Sequence, residues 1–304
     1  MRLKFDTLDV FTDRRFGGNP LAVVHGADDL TTDEMQTVAK EMNLSETVFV
    51  LKPKNPAHSA RVRIFTPAME LPFAGHPTVG TAALLGQRRM SDSEASGEAL
   101  VVLEEEVGVV RVGVKLRSGQ APFAEFDAPK LPEPGVTMPS SERLSQALGL
   151  IPSEIGFENH RPMVASAGVP FAFIPVASAK AIAQAQVQMQ YWNSVFTGPI
   201  PPGAFLYTRE CVHTTSSFHA RMFWPGAGIM EDPATGGAAA AFAGVIARYD
   251  APRAGSHRRL IEQGFEMGRP SLIHLTLVMG PQKLETVRIG GHAVLIASGE
   301  IIVR

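Results

Sequence analysis

Hydrophobic residues along the chain recur mostly with the two-residue period of half-buried strands. Arg61–Phe65 (RVRIF), Val107–Leu116 (VGVVRVGVKL), Phe171–Val176 (FAFIPV), Ser217–Trp224 (SFHARMFW), Ser271–Val278 (SLIHLTLV) and Ala293–Val303 (AVLIASGEIIV) are β-branched or aromatic runs with partial alternation. Helical spacing is rarer. Thr31-Thr32-Asp33-Glu34 offers a capping box, with Met35, Val38, Ala39 and Met42 at helical intervals behind it. Ser140–Leu148 and Lys180–Gln190 are two further short candidates. Two stretches obey neither pattern: Phe73–Leu84, FAGHPTVGTAAL, and Glu231–Phe242, EDPATGGAAAAF, run into segments that are small and apolar all round. A helix without a polar face is enclosed on every side, and at about three to four turns these are too short to span a bilayer.

The two stretches belong to a longer repeat. Arg63-Ile64-Phe65-Thr66-Pro67 precedes His76-Pro77-Thr78-Val79-Gly80-Thr81-Ala82-Ala83, and Arg221-Met222-Phe223-Trp224-Pro225 precedes Asp232-Pro233-Ala234-Thr235-Gly236-Gly237-Ala238-Ala239. Each half reads R-φ-F-x-P, a loop, then [H/D]-P-x-x-G-x-A-A, which predicts an internal duplication with one copy per domain. In this alignment His76 and Asp232 stand where helix N-caps belong, with Pro77 and Pro233 at the first helical position. The predicted fold is α+β: two similar domains, each a curved sheet wrapped around one central buried helix. The proline-rich Asp127–Pro139 reads as the linker between a first domain at 1–126 and a second at 140–285. The last strands, 290–304, are open to either domain and are candidates to complete the first.

Composition narrows the functional classes. The chain has 304 residues, 19% of them charged, and a formal net charge of −2, so no basic field draws in nucleic acid or an anionic membrane. Arg88–Arg89, Arg258–Arg259 and Glu104–Glu106 read as solvated positions. The single cysteine, Cys211, excludes a disulfide framework and reads as a small buried side chain in a cytoplasmic protein. Pro162–Ala179 is uncharged, but its prolines favour two strands around a Gly-Val-Pro turn over a membrane span. No phosphate-binding glycine motif and no H-E-x-x-H are present, and His213 and His219 read as isolated.

The candidate chemistry lies at the helix starts. A buried helix whose N-terminus opens at a surface offers free N–H groups and partial positive charge to a carboxylate or other anion. Two such ends, brought together by a pseudo-twofold axis, would wall a cleft. Asp232 alone reads as a simple cap, whereas His76 is a poor cap that titrates near neutrality. Glu46, in Leu44–Val50 (LSETVFV), starts a strongly β-forming run. In an apolar cleft its pKa would rise and suit it to proton transfer at carbon; at a solvated strand end it would do nothing.

FGGNPLAVV, LSETVFV, RIFTPAMELPFAGHPTVGTAAL and MEDPATGGAAAAF, in this order and spacing, resemble the phenazine-biosynthesis PhzF-like isomerase family, within the diaminopimelate-epimerase-like superfamily. The resemblance implies two similar domains, each a barrel-like mixed sheet around a central helix, with the active site between them, no metal, no organic cofactor and a homodimer. It makes Glu46 the catalytic acid/base, with His76 and Asp232 as polar residues that bind substrate and assist proton movement. Asn19, Gly75, Thr235, Gly236 and Gly237 become substrate-binding positions. The implied reaction moves a proton between carbons of a small carboxylate-bearing metabolite, as in trans-2,3-dihydro-3-hydroxyanthranilate isomerisation. Related racemases place cysteines at the helix starts, and Cys211 lies elsewhere. One departure stands out: the family commonly reads DPATGS, and Gly237 lacks that hydroxyl. The competing expectation is a non-catalytic anion-binding protein that keeps the fold.

Overall fold

The computed structural model describes residues 1–89, 96–227 and 229–304. These form two compact units, Met1–Asp127 with Gly290–Arg304, and Ala128–Ile289.

In the first unit the order is β1 (Arg2–Val10), β2 (Asn19–His25), α1 (Thr32–Met42), β3 (Glu46–Leu51), β4 (Ala60–Phe65), β5 (Glu70–Leu71), α2 (Gly75–Arg89), β6 (Gly97–Glu105), β7 (Gly108–Leu116) and β8 (Phe123–Asp127). The second holds β9 (Glu133–Pro134), α3 (Ser141–Leu148), β10 (Met163–Ser166), β11 (Pro170–Pro175), α4 (Ala179–Gln184), α5 (Met189–Val195), β12 (Ala204–Thr208), β13 (Phe218–Trp224), β14 (Ile229–Asp232), α6 (Gly236–Tyr249), β15 (Gly255–Gln263) and β16 (Ser271–Met279). The last strand, β17 (Leu284–Ile302), runs through the boundary at Gly290, and its later residues pair with β1. The proline-rich stretch joins the second unit, where β9 pairs with β10.

The helix expectations hold where the signal is local. Thr31 caps α1 through the Glu34 N–H, and the Glu34 carboxylate accepts the Thr31 N–H at 2.8 Å. Pro162–Ala179 forms β10 and β11 around its turn, and no helix among the described residues is long and apolar enough to cross a membrane. Lys180–Gln190, in contrast, is broken between α4 and α5. The Arg221 guanidinium takes up the carbonyls of Ile182 (2.9 Å), Ala183 (3.2 Å) and Ala185 (2.9 Å), satisfying the end of α4 with a side chain rather than another helical turn.

Both units repeat one strand pattern. Pairs β1–β2 and β10–β11 are antiparallel, β2–β3 and β11–β12 parallel, β3–β4 and β12–β13 antiparallel, and β4–β6 and β13–β15 parallel. Each mixed sheet wraps its own helix: α2 packs on β1, β2, β3, β6, β7 and β8, and α6 on β9, β10, β11 and β16. Small residues make this possible. A Cβ on Gly80 would come within 2.6 Å of both Leu21 and Val10 side chains, and one on Gly86 within 2.9 Å of Val114. In α6, Ala238, Ala239, Ala241 and Ala243 are wholly buried, and Phe242 anchors an aromatic cluster with Phe173, Phe205, Tyr207 and Phe218 at centroid distances of 4.6–5.7 Å.

The structure also corrects the alignment of the repeat. Arg63 grips Glu70 with two hydrogen bonds of 2.7 and 2.6 Å, and Arg221 grips Glu231 with two of 2.8 Å. Each guanidinium also lies over the ring two residues on, Phe65 at 5.1 Å and Phe223 at 4.7 Å. Glu70 pairs with Phe65 across β4–β5 as Glu231 pairs with Phe223 across β13–β14. From Glu70 to the first residue of α2, Gly75, and from Glu231 to the first residue of α6, Gly236, the spacing is the same. Glu70-Leu71-Pro72-Phe73-Ala74-Gly75-His76 therefore corresponds to Glu231-Asp232-Pro233-Ala234-Thr235-Gly236-Gly237. The dipeptides His76-Pro77 and Asp232-Pro233 are not counterparts, because the second copy has a longer hairpin loop between Phe223 and Glu231 than the first has between Phe65 and Glu70.

Candidate active site

Neither His76 nor Asp232 is an N-cap. His76 lies inside the first turn of α2, while Asp232 is the last residue of β14 and α6 begins at Gly236.

In the first unit, Glu46 opens β3 opposite Leu21 of β2. Asn19 begins β2, wholly buried. Gly18, just before it, has φ +63°, and any Cβ there would strike the Val10 carbonyl at 2.4 Å, so the turn that delivers Asn19 requires glycine. His76 is 4% exposed, and its Nε2 lies 3.2 Å from Glu46 Oε2. Burial drives the His76 pKa down to about 3, opposed by a hydrogen bond to the Pro20 backbone. The Pro20 backbone has only a carbonyl to offer, so a ring N–H donates to it. At neutral pH His76 is thus an uncharged imidazole whose Nε2 lone pair faces Glu46. The two atoms are in contact without a hydrogen bond; a protonated Glu46 carboxyl would donate to that ring nitrogen.

Two residues on, the Thr78 hydroxyl bonds Glu105 Oε1 at 2.8 Å. Glu104 and Glu105 end β6, and the turn is Glu106–Val107, so the expected solvated run is largely a structural one. Glu105 is 8% exposed and burial pushes its pKa up to about 8. Glu104 accepts the N–H groups of Lys54 and Asn55 (2.8 Å each) and is held down to about 2 by them. Arg88 is not merely solvated either, since it pairs with the buried Asp6 at 2.6 Å.

In the second unit, Asp232 accepts the Thr235 hydroxyl at 2.5 Å. Gln263, at the end of β15, donates to the Asp232 carbonyl (2.7 Å) and to Thr235 Oγ1 (3.1 Å), and accepts the Thr235 N–H at 3.1 Å. One buried amide thereby fixes the D-P-A-T turn. Sequence reasoning missed Gln263, because only the parallel β13–β15 pairing carries it to the turn. Gly236 and Gly237 form the first residues of α6. A Cβ at Gly237 would meet nothing closer than Phe171 at 3.9 Å, so the position is open.

His219 is not isolated: it sits between Glu262 and Glu266, 2.8 Å from each, and their hydrogen bonds raise its pKa to about 9 against the cost of burial. Cys211 is half-buried rather than buried, and desolvation beside Glu262 lifts its thiol to about 12. Among the described residues no cluster of three or more His, Cys, Asp or Glu side chains is placed to hold a metal.

The model of the phenazine biosynthesis-like protein family matches residues 8–299. The chain belongs to that family. It is 50% identical, over 97% of both chains, to an uncharacterised isomerase of Mesorhizobium japonicum. It is 33% identical, over 97% of this chain and 98% of the other, to trans-2,3-dihydro-3-hydroxyanthranilate isomerase of Pseudomonas chlororaphis. A PhzF-family structure from Bacillus anthracis superposes with a TM-score of 0.88 at 24% identity, covering 99% of each chain. A probable proline racemase from Agrobacterium radiobacter shares the fold at a TM-score of 0.63 and 12% identity, over 99% of this chain and 93% of that one. This member of the phenazine biosynthesis-like family is therefore an isomerase with an α+β, epimerase-like fold.

Proposed function

We propose that this enzyme moves a proton between carbons of a small carboxylate-bearing metabolite by side-chain acid/base chemistry, with trans-2,3-dihydro-3-hydroxyanthranilate as the model substrate. The observation that carries the reading is the Glu46–His76 pair: a carboxylate 3.2 Å from a buried, neutral imidazole. A carboxyl beside such a ring can take a proton from carbon and return it, while the neutral imidazole stays uncharged and offers its ring nitrogen as an acceptor to the protonated carboxyl. The Pseudomonas chlororaphis relative, whose name states that isomerisation, supports the substrate class.

The duplication supports a single carboxylate base. By strand register Glu46 precedes Thr47, which pairs with Phe65, and in the second copy Gly203 precedes Ala204, which pairs with Phe223. The counterpart of Glu46 is thus Gly203, which carries no side chain. On this reading Glu46 both removes and delivers the proton, which fits a shift along one face of a substrate better than inversion by two opposed bases. Asp232, held by Thr235, is assigned a role in holding polar substrate groups, together with Asn19, Gly75, Gly236 and Gly237.

Proton NMR in D₂O tests this, with dihydro-hydroxyanthranilate and a panel of β-hydroxy and amino carboxylic acids. Deuterium uptake at carbon is expected with the wild type and should fall by about 10²–10⁴-fold in Glu46→Gln, the usual worth of a general acid/base. Exchange that survives the substitution removes Glu46 from the role, and binding without exchange across the panel overturns the catalytic reading.

A further inference from the structure

A cavity of about 670 Å³ opens in the first unit, away from the Glu46–His76 pair, between β4, β5 and the β6–β7 turn. Its walls carry Lys54, Arg61, Glu105 and Glu106 beside apolar Leu71 and Val109. We propose that this cavity is a second ligand site, which binds a small carboxylate with an apolar body on Arg61.

The internal duplication points to that ligand chemistry. Arg61 pairs in register with Glu104 as His219 pairs with Glu262. In both copies this glutamate accepts two successive backbone N–H groups, those of Lys54 and Asn55 or those of Val212 and His213. Ser59 and Ser217 likewise make matching hydrogen bonds to Val102 and Leu260. Arg61 and His219 are therefore equivalent positions. His219 has a second carboxylate, Glu266, at 2.8 Å, and Glu266 also lies 4.0 Å from Arg221. Glu266 comes from the connection between β15 and β16, residues 264–270. The matching β6–β7 connection is only Glu106–Val107; its Glu106 acts on Arg63, and among the described residues no hydrogen bond or ion pair joins it to Arg61.

What remains there is the cavity and a guanidinium without a partner. Arg61 forms no hydrogen bond or ion pair among the described residues, and its Nε is buried without a partner. The neighbouring charges have partners elsewhere. Arg63 is paired with Glu70, and Glu104 with its backbone donors and His58. Glu106 acts on Arg63 as well, and Glu105 is held neutral by burial. A carboxylate on Arg61 would supply the acceptors its guanidinium lacks, and that group suits a guanidinium fork. The volume is that of a small-molecule site.

The test is an amide-detected NMR titration of the full chain with benzoate, using benzamide as the uncharged control. Saturable shifts centred on Arg61, Gly108 and Val109 are expected. Losing a charge-assisted pair weakens binding about tenfold or more, so benzamide, and benzoate with Arg61→Gln, should each show at least that loss. Val109→Trp, which fills the cavity without touching Arg61, should block binding, whereas Glu46→Gln should leave it intact. Equal affinity in Arg61→Gln, shifts centred on residues 46 and 76, or no saturable binding at about 10 mM would each overturn the proposal. So would loss of self-association in Arg61→Gln without benzoate binding, which would make a second copy's carboxylate the occupant.

Discussion

Glu46 Oε2 and His76 Nε2 lie 3.2 Å apart, with the imidazole almost fully buried and committed by its other nitrogen to the Pro20 backbone. A strand start and the first turn of a helix thereby bring a carboxyl and a neutral ring nitrogen face to face. His76→Asn keeps a polar group of similar size but no basic nitrogen. The expected outcome is a loss of about 10²-fold in kcat for carbon–deuterium exchange, with far less change in KM. Stopped-flow or NMR kinetics across a substrate range checks it; an unchanged kcat would leave His76 a spectator.

Two buried groups give stability opposed pH slopes. The folded chain keeps the Glu105 proton up to about pH 8, whereas the unfolded chain loses it near 4.5, so stability falls as pH rises through that window. His76 stays neutral in the fold down to about pH 3, while the unfolded ring gains a proton below 6.5, so stability falls as pH drops through that window. Glu105→Gln removes only the first slope. Chemical denaturation should show the variant gaining on the wild type from about pH 5 to pH 8, by an amount of order a few kcal/mol at the top. A pH-independent difference would contradict the buried, proton-retaining Glu105.

Gln263 makes three hydrogen bonds to the turn that carries Asp232 and Thr235. Gln263→Leu keeps the volume but orphans a buried N–H and a carbonyl. We expect destabilisation of about 2–4 kcal/mol by urea denaturation, and exchange activity reduced beyond what the unfolded fraction explains. Wild-type activity in a folded variant would show that the turn does not need this brace.

Two glycines at the helices should respond oppositely. Gly80→Ala puts a Cβ within 2.6 Å of Leu21 and Val10, an overpacking of about 1–3 kcal/mol. Gly237→Ser meets open space, with Phe171 at 3.9 Å, and should lie within about 0.5–1 kcal/mol of the wild type. Thermal unfolding of both, side by side, checks the contrast. The Gly237→Ser variant also restores the family's hydroxyl, so its kinetics on dihydro-hydroxyanthranilate reports whether that group selects the substrate.

Much of the fold was legible in the chain because the signals were local. The capping box at Thr31 and Glu34 needs only neighbours in sequence, and the apolar, glycine- and alanine-rich stretches after Gly75 and Gly236 announce enclosed helices by lacking a polar face. The existence of a repeat was legible for the same reason. Its register was not. His-Pro and Asp-Pro look alike as dipeptides, but the alignment is set by the Arg63–Glu70 and Arg221–Glu231 forks across hairpins whose loops differ in length.

The sequence by itself determined which residues carry the chemistry-bearing types, Glu46, His76 and Asp232, and that two buried helices organise the chain. The tertiary structure decided their states and partners. It put His76 inside a helix turn as a neutral ring and buried Glu105 at the end of a strand that looked solvated. It also delivered Gln263 to a turn 28 residues away in sequence and left Arg61 without the carboxylate its counterpart has. These depend on desolvation and on strand register, and both arise only when segments distant in sequence pack together.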